Sequence, residues 1–543
     1  MSQQSCDGWG LITMTAKETI QQGKAILGIE FGSTRIKAVL IDGENKPIAQ
    51  GSHTWENKLE NGLWTYSIKD IWAGLQDCYA SLREDVKKQY GIEIETLGAI
   101  GISAMMHGYM AFNSKQEILV PFRTWRNTNT GKAAAKLSEL FNFNIPLRWS
   151  ISHLYECIID GESHIRDIDY LATLDAYIHW RLTGERVTGI GDASGMLPID
   201  PETKDYDEEM VKKFDALIAP KGFPWKLRDI LPKVLVAGQD AGHLTKKGAK
   251  LLDPSGHLQA GVPMCPPEGD AGTGMAATNS VKPRTGNVSC GTSSFSMIVL
   301  EKNLSKPYPS IDIVTTPDGS PVAMVHCNNC TSDINAWVNI FKEFEELTGQ
   351  KPDMGKLFTK LFQAAAKGAP DCGGLMAYNY FSGEPVTGLD EGRPMIVRSP
   401  NDQFNLANFM RANLYGAVAV LKIGNDILLK DEKVAVDRIT GHGGFFTTPE
   451  VGQHILGAAL NSPISVMETA GEGGPWGMAL LASYLVNSDK HQSLADFLDT
   501  KVFAGNKGSE IAPTPEEVEG FNTYIENYKK GLEIEKTAVK YKE

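Results

Sequence analysis

The sequence predicts an α/β protein built as two related lobes that face each other. Two observations carry that prediction. Residues 26–42 (ILGIEFGSTRIKAVLID) and 285–301 (TGNVSCGTSSFSMIVLE) share one plan: an apolar strand, a glycine-hydroxyl turn and a second β-branched strand. The segments after the two hairpins also match, each an extended run and then apolar residues at helical spacing. Two β-β-β-α units in one chain point to duplication.

In chain order, the first hairpin leads into an extended run from Pro47 to Trp55. A helix comes next, with Ile68, Ile71, Trp72, Leu75, Tyr79, Leu82 and Val86 on one face at three- to four-residue spacing. A short strand, Leu97 to Ile102, closes the unit. After the second hairpin come a strand at Val322–His326 and a helical pattern from Ser332 to Leu347. An extended run, Val434 to Thr440, then enters Gly441-His442-Gly443-Gly444, and a helix is expected with Thr448 as its N-cap and Pro449 at its first position. A second glycine-rich segment, Ala470 to Gly477, feeds an apolar helix. Phe521, Tyr524, Tyr528 and Leu532 mark one face of a terminal helix.

Composition narrows the function. The chain has 543 residues, 42% of them hydrophobic, and a formal net charge of −13. That length suits several domains with sizeable cores. An acidic balance argues against nucleic acid or an anionic membrane as partner, though it permits a local phosphate pocket. The longest apolar stretches, such as Trp476 to Val486, fall short of the ~20 residues that span a bilayer. The first 23 residues show no basic region followed by an apolar core, so a cytoplasmic location is expected. Of eight cysteines, only Cys327 and Cys330 form a C-x-x-C. His326 is adjacent, but neighbours on a strand point to opposite faces, and reduced thiols rather than a zinc site are expected.

The repeated turns suggest chemistry. Glycine lets the backbone approach a ligand closely, and flanking N–H and hydroxyl groups converge as donors toward phosphate oxygens. Gly32-Ser33-Thr34 and Gly291-Thr292-Ser293 could therefore grip a polyphosphate from both sides, although either turn alone could simply be a tight hairpin. No G-x-x-x-x-G-K-[ST] is present, and Gly272–Ala277 imitates a dinucleotide fingerprint without a preceding strand. Asp270 opens a helix of small residues just before the second hairpin. It could be an N-terminal cap, or it could accept a proton from a hydroxyl. Gly441-His442-Gly443-Gly444 permits close approach of a flat ring, or merely punctuates the chain. Met106-His107-Gly108 lies at the carboxyl end of a strand, the edge where ligands of open α/β sheets bind.

Taken in order, these motifs resemble the FGGY family of carbohydrate kinases, and most closely its xylulose kinase branch. The resemblance runs from about residue 26 to the terminal helix. GIEFGSTRIKAVLID and GNVSCGTSSFSM resemble the two phosphate motifs, PPEGDAGTGM the catalytic-aspartate segment, DRITGHGGFF the adenosine turn and ISAMMHGYMAF the ketose-contacting segment. The segment around Asp175 and Asp192, and FSGEPVTG at 381–388, also resemble family stretches. The resemblance implies two duplicated actin-like, ribonuclease H-like lobes with an interdomain cleft. Its divisions would be an extension at 1–23, lobes at 24–278 and 279–505, and a C-terminal helix at 506–543.

It further implies ATP as phosphoryl donor, Mg²⁺ as cofactor, a small sugar as partner and a homodimer as the assembly to consider. Asp270 would be the catalytic base, and Met106 and His107 would contact the sugar beside it. Gly32, Ser33, Thr34, Gly291, Thr292, Gly443 and Gly444 would bind nucleotide, and Glu30 would serve the metal. The implied reaction transfers the γ-phosphoryl group of ATP to a hydroxyl of a ketose, foremost a pentulose such as xylulose. Ribulose, rhamnulose, fuculose or glycerol are the alternative acceptors, and a non-catalytic nucleotide or sugar sensor is the alternative of a different class. Two departures stand out. Glu30 replaces the usual aspartate, and Trp125-Arg126-Asn127-Thr128-Asn129-Thr130 stands where the branch carries Asn-Asp-Gly-Arg. Asn127 thus replaces a carboxylate that could accept hydrogen bonds from sugar hydroxyls, and the hydroxyl pattern recognised is expected to differ.

Overall fold

The computed structural model describes residues 14–467, 473–505 and 508–541. Each lobe is organised by one mixed sheet. In the first, the strands run in the spatial order Glu268–Gly269, Ala99–Ala104, Ile26–Phe31, Arg35–Ile41, Pro47–Thr54. In the second, they run Asp312–Thr315, Pro321–Cys327, Ser294–Val299, Thr285–Cys290, Arg438–His442, Ile464–Val466, Ser509–Ile511. The repeat is plain at the centre of each. Ile26–Phe31 pairs antiparallel with its hairpin partner and parallel with Ala99–Ala104. Thr285–Cys290 does the same with Ser294–Val299 and with Arg438–His442.

A parallel pair requires a crossover, and helices supply it. In the first lobe this is Ile68–Tyr90, whose start is capped by the Ser67 hydroxyl accepting from Asp70 N and whose end is set by Gly91 at φ 68°. Its buried face is Ile71, Gly74, Leu75, Cys78, Tyr79, Leu82 and Val86, close to the apolar stripe read from spacing. In the second lobe the crossover passes through Ser332–Leu347, Met354–Ala365 and the deeply buried Leu406–Asp426.

Two late segments complete the cores. Helix Gly473–Asn487 belongs to the second half of the sequence but packs on the first sheet, over Gly28 and Gly101. A Cβ at Gly28 would collide with the Pro475 carbonyl, so glycine there allows the helix to lie flat on the strand. The Trp476 indole donates to Asn45 O at 2.9 Å and fastens the same contact. Helix Pro515–Ala538 closes the second core with Phe521, Tyr524, Ile525 and Tyr528. Tyr378 stacks on Tyr528 at 4.5 Å and donates to its carbonyl at 3.0 Å.

Local differences from the sequence reading have local causes. The helix expected to start at Pro449 begins instead at Val451, because Glu450 adopts φ +70° and cannot continue a right-handed turn. The strand read as Leu97–Ile102 spans Ala99–Ala104, and Asp312–Thr315 is an edge strand that no pattern announced. Cys78, Cys157, Cys265, Cys290, Cys327, Cys330 and Cys372 are buried free thiols, while Cys6 lies outside the described residues. No helix among the described residues is long and apolar enough to cross a membrane.

Candidate active site

A cavity of about 360 Å³ lies between the two sheets, at the carboxyl ends of their parallel strands. Asp270 comes directly after the short strand Glu268–Gly269 and starts helix Asp270–Ala277, so its side chain opens onto this space. Its carboxylate accepts from backbone N–H groups of its own helix's first turn, Ala271 among them. Met106 N also donates to Asp270 Oδ1, at 3.1 Å across the sheet, which orients the carboxylate. Burial in the cleft lifts Asp270 above the usual carboxylate range, and backbone donors, Met106 first, oppose that shift.

Glu30 lines the same cavity from the strand Ile26–Phe31, and its Oε2 is buried without a hydrogen-bond partner. Desolvation first, then the charge of Asp270, raise it to about 7, while Lys37 acts the other way. Gly474 abuts it so closely that a Cβ there would overlap the carboxylate. Two carboxylates on one cavity, one of them with an unsatisfied oxygen, form a hard-oxygen donor set of the kind Mg²⁺ accepts.

The glycine-rich turns each reach the cavity through one residue. Ser33 lines it from the first, Ser293 from the second and His442 from the third. Gly32, Thr34, Gly291, Thr292, Gly443 and Gly444 do not line it. They shape the turns instead. Gly32 N donates to Arg35 O and Gly291 N to Ser293 O, both at 2.9 Å. Thr331 holds the second turn from outside, donating from N and Oγ1 to Gly291 O at 3.0 and 2.7 Å. Gly443 has φ +101° and lies against the Cys290 carbonyl, a position no side chain could share.

Met106 and His107 both line the cavity. His107 has φ +70°, and its Nδ1 lies 3.3 Å from Gly195 O. Burial and then the Arg148 charge hold this imidazole well below its ordinary pKa, so it is neutral. Asn127 is elsewhere. Its Oδ1 accepts from Trp64 N at 2.9 Å and its Nδ2 donates to Trp64 O at 2.8 Å, which fastens a small hairpin and spends the whole amide. The expectation that Asn127 faces the substrate is therefore corrected. Asp175 and Asp192 are buried near Glu268, and burial raises both. In 381–388, the Glu384 carboxylate accepts from Asn328 N at 3.1 Å and Asn329 N at 2.8 Å, which pins that loop to the end of strand Pro321–Cys327.

Sequence reasoning missed Trp125, Arg148, Asn287, Phe295 and His326, all in the cavity wall. Trp125, Asn287 and Phe295 lie inside motifs read for other features, and no motif marks Arg148 or His326. They meet only because the two lobes are apposed.

Known proteins resemble this chain in sequence and fold. The sequence pattern described as "FGGY family of carbohydrate kinases, N-terminal domain" matches residues 25–275, and that of the C-terminal domain matches 286–486. The xylulose kinase of Haemophilus influenzae is 21% identical over 92% of this chain and 98% of its own length. That of Escherichia coli is 23% identical over 52% of this chain and 56% of its own length. Relatives named L-fuculokinase and glycerol kinase match as well. Among solved structures, ligand-bound xylulose kinase from Lactobacillus acidophilus superposes with a TM-score of 0.76 at 18% identity, covering 94% of this chain and 98% of that one.

Proposed function

Since this chain belongs to the FGGY family of carbohydrate kinases, and is thus an ATP-dependent phosphotransferase, we propose that its acceptor is a ketose, foremost a pentulose such as xylulose. The observation that carries the proposal is the pairing of Asp270 with Glu30 in one cavity between two glycine turns. Full-length similarity to a xylulose kinase supports the choice of sugar class.

Asp270 receives the proton of the attacking sugar hydroxyl. Met106 N holds Oδ1 and so orients the carboxylate on the cavity in which the acceptor binds. As the new O–P bond forms, the bond from the γ-phosphorus to the bridging oxygen breaks and ADP leaves. Ser33 and Ser293, with the N–H groups of the turns that carry them, hold phosphate oxygens where charge accumulates. Gly443 and Gly444 let adenosine approach the second sheet. Met106 and His107 orient the sugar; the neutral imidazole, its Nδ1–H directed at Gly195 O, accepts from a sugar hydroxyl through Nε2. Glu30, whose Oε2 is unpartnered, is the residue that would hold Mg²⁺, which when bound offsets charge on the phosphate oxygens. Closure of the lobes on the sugar would exclude water, the competing acceptor.

A coupled ADP-release assay over ketopentoses, deoxyketoses and polyols tests this reading, with Asp270→Asn beside the wild type. Pentulose-stimulated turnover that disappears in Asp270→Asn supports it. A wild type that no sugar stimulates overturns it and favours a non-catalytic sensor on the same fold.

A further inference from the structure

His326 lines the cavity and takes no part in the proton or phosphoryl transfer. It stands on Pro321–Cys327 of the second lobe, paired across the sheet with Phe295. Its ring borders both the inner cavity and an adjoining outer chamber of about 650 Å³. That ring makes no hydrogen bond to any described residue. His164 bonds the Tyr109 hydroxyl at 2.8 Å, and His179 bonds Ala241 O at 2.9 Å through Nε2, although its Nδ1 is unpartnered. His153 also lacks a partner but is sealed in the core, and His442, whose Nε2 is unpartnered too, lines the cavity without bordering the outer chamber.

A contact between the lobes sets the position of His326. Arg148 of the first lobe donates from Nη2 to Asp312 Oδ2, and Asn144 Nδ2 donates to Asp312 Oδ1 at 3.0 Å. Asp312 lies opposite Met324 on the neighbouring strand, so this clamp fixes the edge of the sheet that carries His326. Arg148 borders both chambers and, after burial itself, depresses both His107 and His326. The two imidazoles therefore contribute to one cavity from opposite lobes. A neutral imidazole offers one donor and one acceptor, which matches a sugar hydroxyl that both gives and receives. An unpaired polar group in a cavity wall is satisfied when a polar ligand arrives.

We propose that His326 is a specificity-determining residue that hydrogen-bonds the acceptor sugar from the second lobe, so that the sugar is gripped by both lobes. This rests on the kinase reading above. The test compares wild type, His326→Ala and His326→Gln, with KM measured separately for pentulose and for ATP, and pentulose binding measured by calorimetry without nucleotide. Expected are a sugar KM and a calorimetric Kd about tenfold higher in His326→Ala, an ATP KM within twofold, and partial recovery in His326→Gln. Sugar KM and Kd unchanged in both variants, while the wild type turns over, overturn this proposal alone. Parallel rises in both KM values overturn it too, since they mark a structural role. If His326→Ala does not fold, His326→Gln decides, with a two- to fivefold rise in sugar KM expected and no change overturning the proposal. A wild type that no sugar stimulates fails the kinase reading as well.

Discussion

Asp270 faces the cavity with its carboxylate oriented by the Met106 N–H, the arrangement that the proposed base requires. Asp270→Asn keeps the shape and removes the proton acceptor, so kcat should fall by about 10²–10⁴ while the ATP KM stays within a few-fold. Steady-state ADP release measures this, and retention of most of the kcat would place the base elsewhere. Glu30 yields a pH prediction. In the folded protein it titrates at about 7 against an ordinary 4.5, because burial and Asp270 disfavour its anion. Between those values the folded state holds the extra proton, so its contribution to stability is full below the lower value and is lost as pH rises through the upper. The stability of wild type relative to Glu30→Gln should therefore decline from pH 5 to pH 8, as denaturant melts at each pH would show. A flat difference would contradict the buried, unpartnered carboxylate. At this scale Asp270, Glu30, Met106 and His107 were legible, since each sits in a short motif whose backbone is local. Asn127 was not. Its place in the motif suggested a sugar contact, but the Trp64 backbone claims its amide, and that partner is remote in sequence.

Strands and turns arise from local chemistry, and where that chemistry was unambiguous the elements formed as read. Both hairpins close at their glycine-hydroxyl turns, and Ser332–Leu347 is the helix that the spacing drew. The start of the helix at Val451 was misread because Thr448-Pro449 carries a helix-start signal, whereas the positive φ of Glu450 is imposed by packing. The adenosine turn depends on a glycine for two reasons at once, φ and contact with Cys290. Gly443→Ala should cost about 1–3 kcal/mol and raise the ATP KM more than the sugar KM. Chemical denaturation and paired KM measurements check both, and equal effects on the two substrates would separate this turn from the nucleotide. The terminal helix is held by aromatic rings rather than by charge. Tyr524→Ala should therefore destabilise the second lobe by about 3–5 kcal/mol, seen as earlier loss of hydrogen-exchange protection there than in the first.

Across the whole molecule, the site is a seam. Glu30, Met106, His107 and Asp270 come from one sheet, and Ser293, Phe295, His326 and His442 from the other. The Arg148–Asp312 pair ties the two at the sugar end. Asp312→Ala leaves Arg148 without its partner, so the cleft should open. Solution scattering should show a larger radius of gyration than wild type, with the sugar KM raised several-fold. An unchanged radius and KM would remove the pair from any part in lobe apposition. The sequence by itself determined the duplicated α/β plan, the acidic balance that disfavours nucleic acid, and the short motifs carrying the base and the turns, because each depends on composition or on residues a few positions apart. Tertiary structure alone decided that a helix from the second half covers the first sheet, that Asn127 is structural, and that His326 and Arg148 share the cavity. Those outcomes depend on which surfaces pack together, and packing brings together residues 63 or more positions apart that no local pattern can pair.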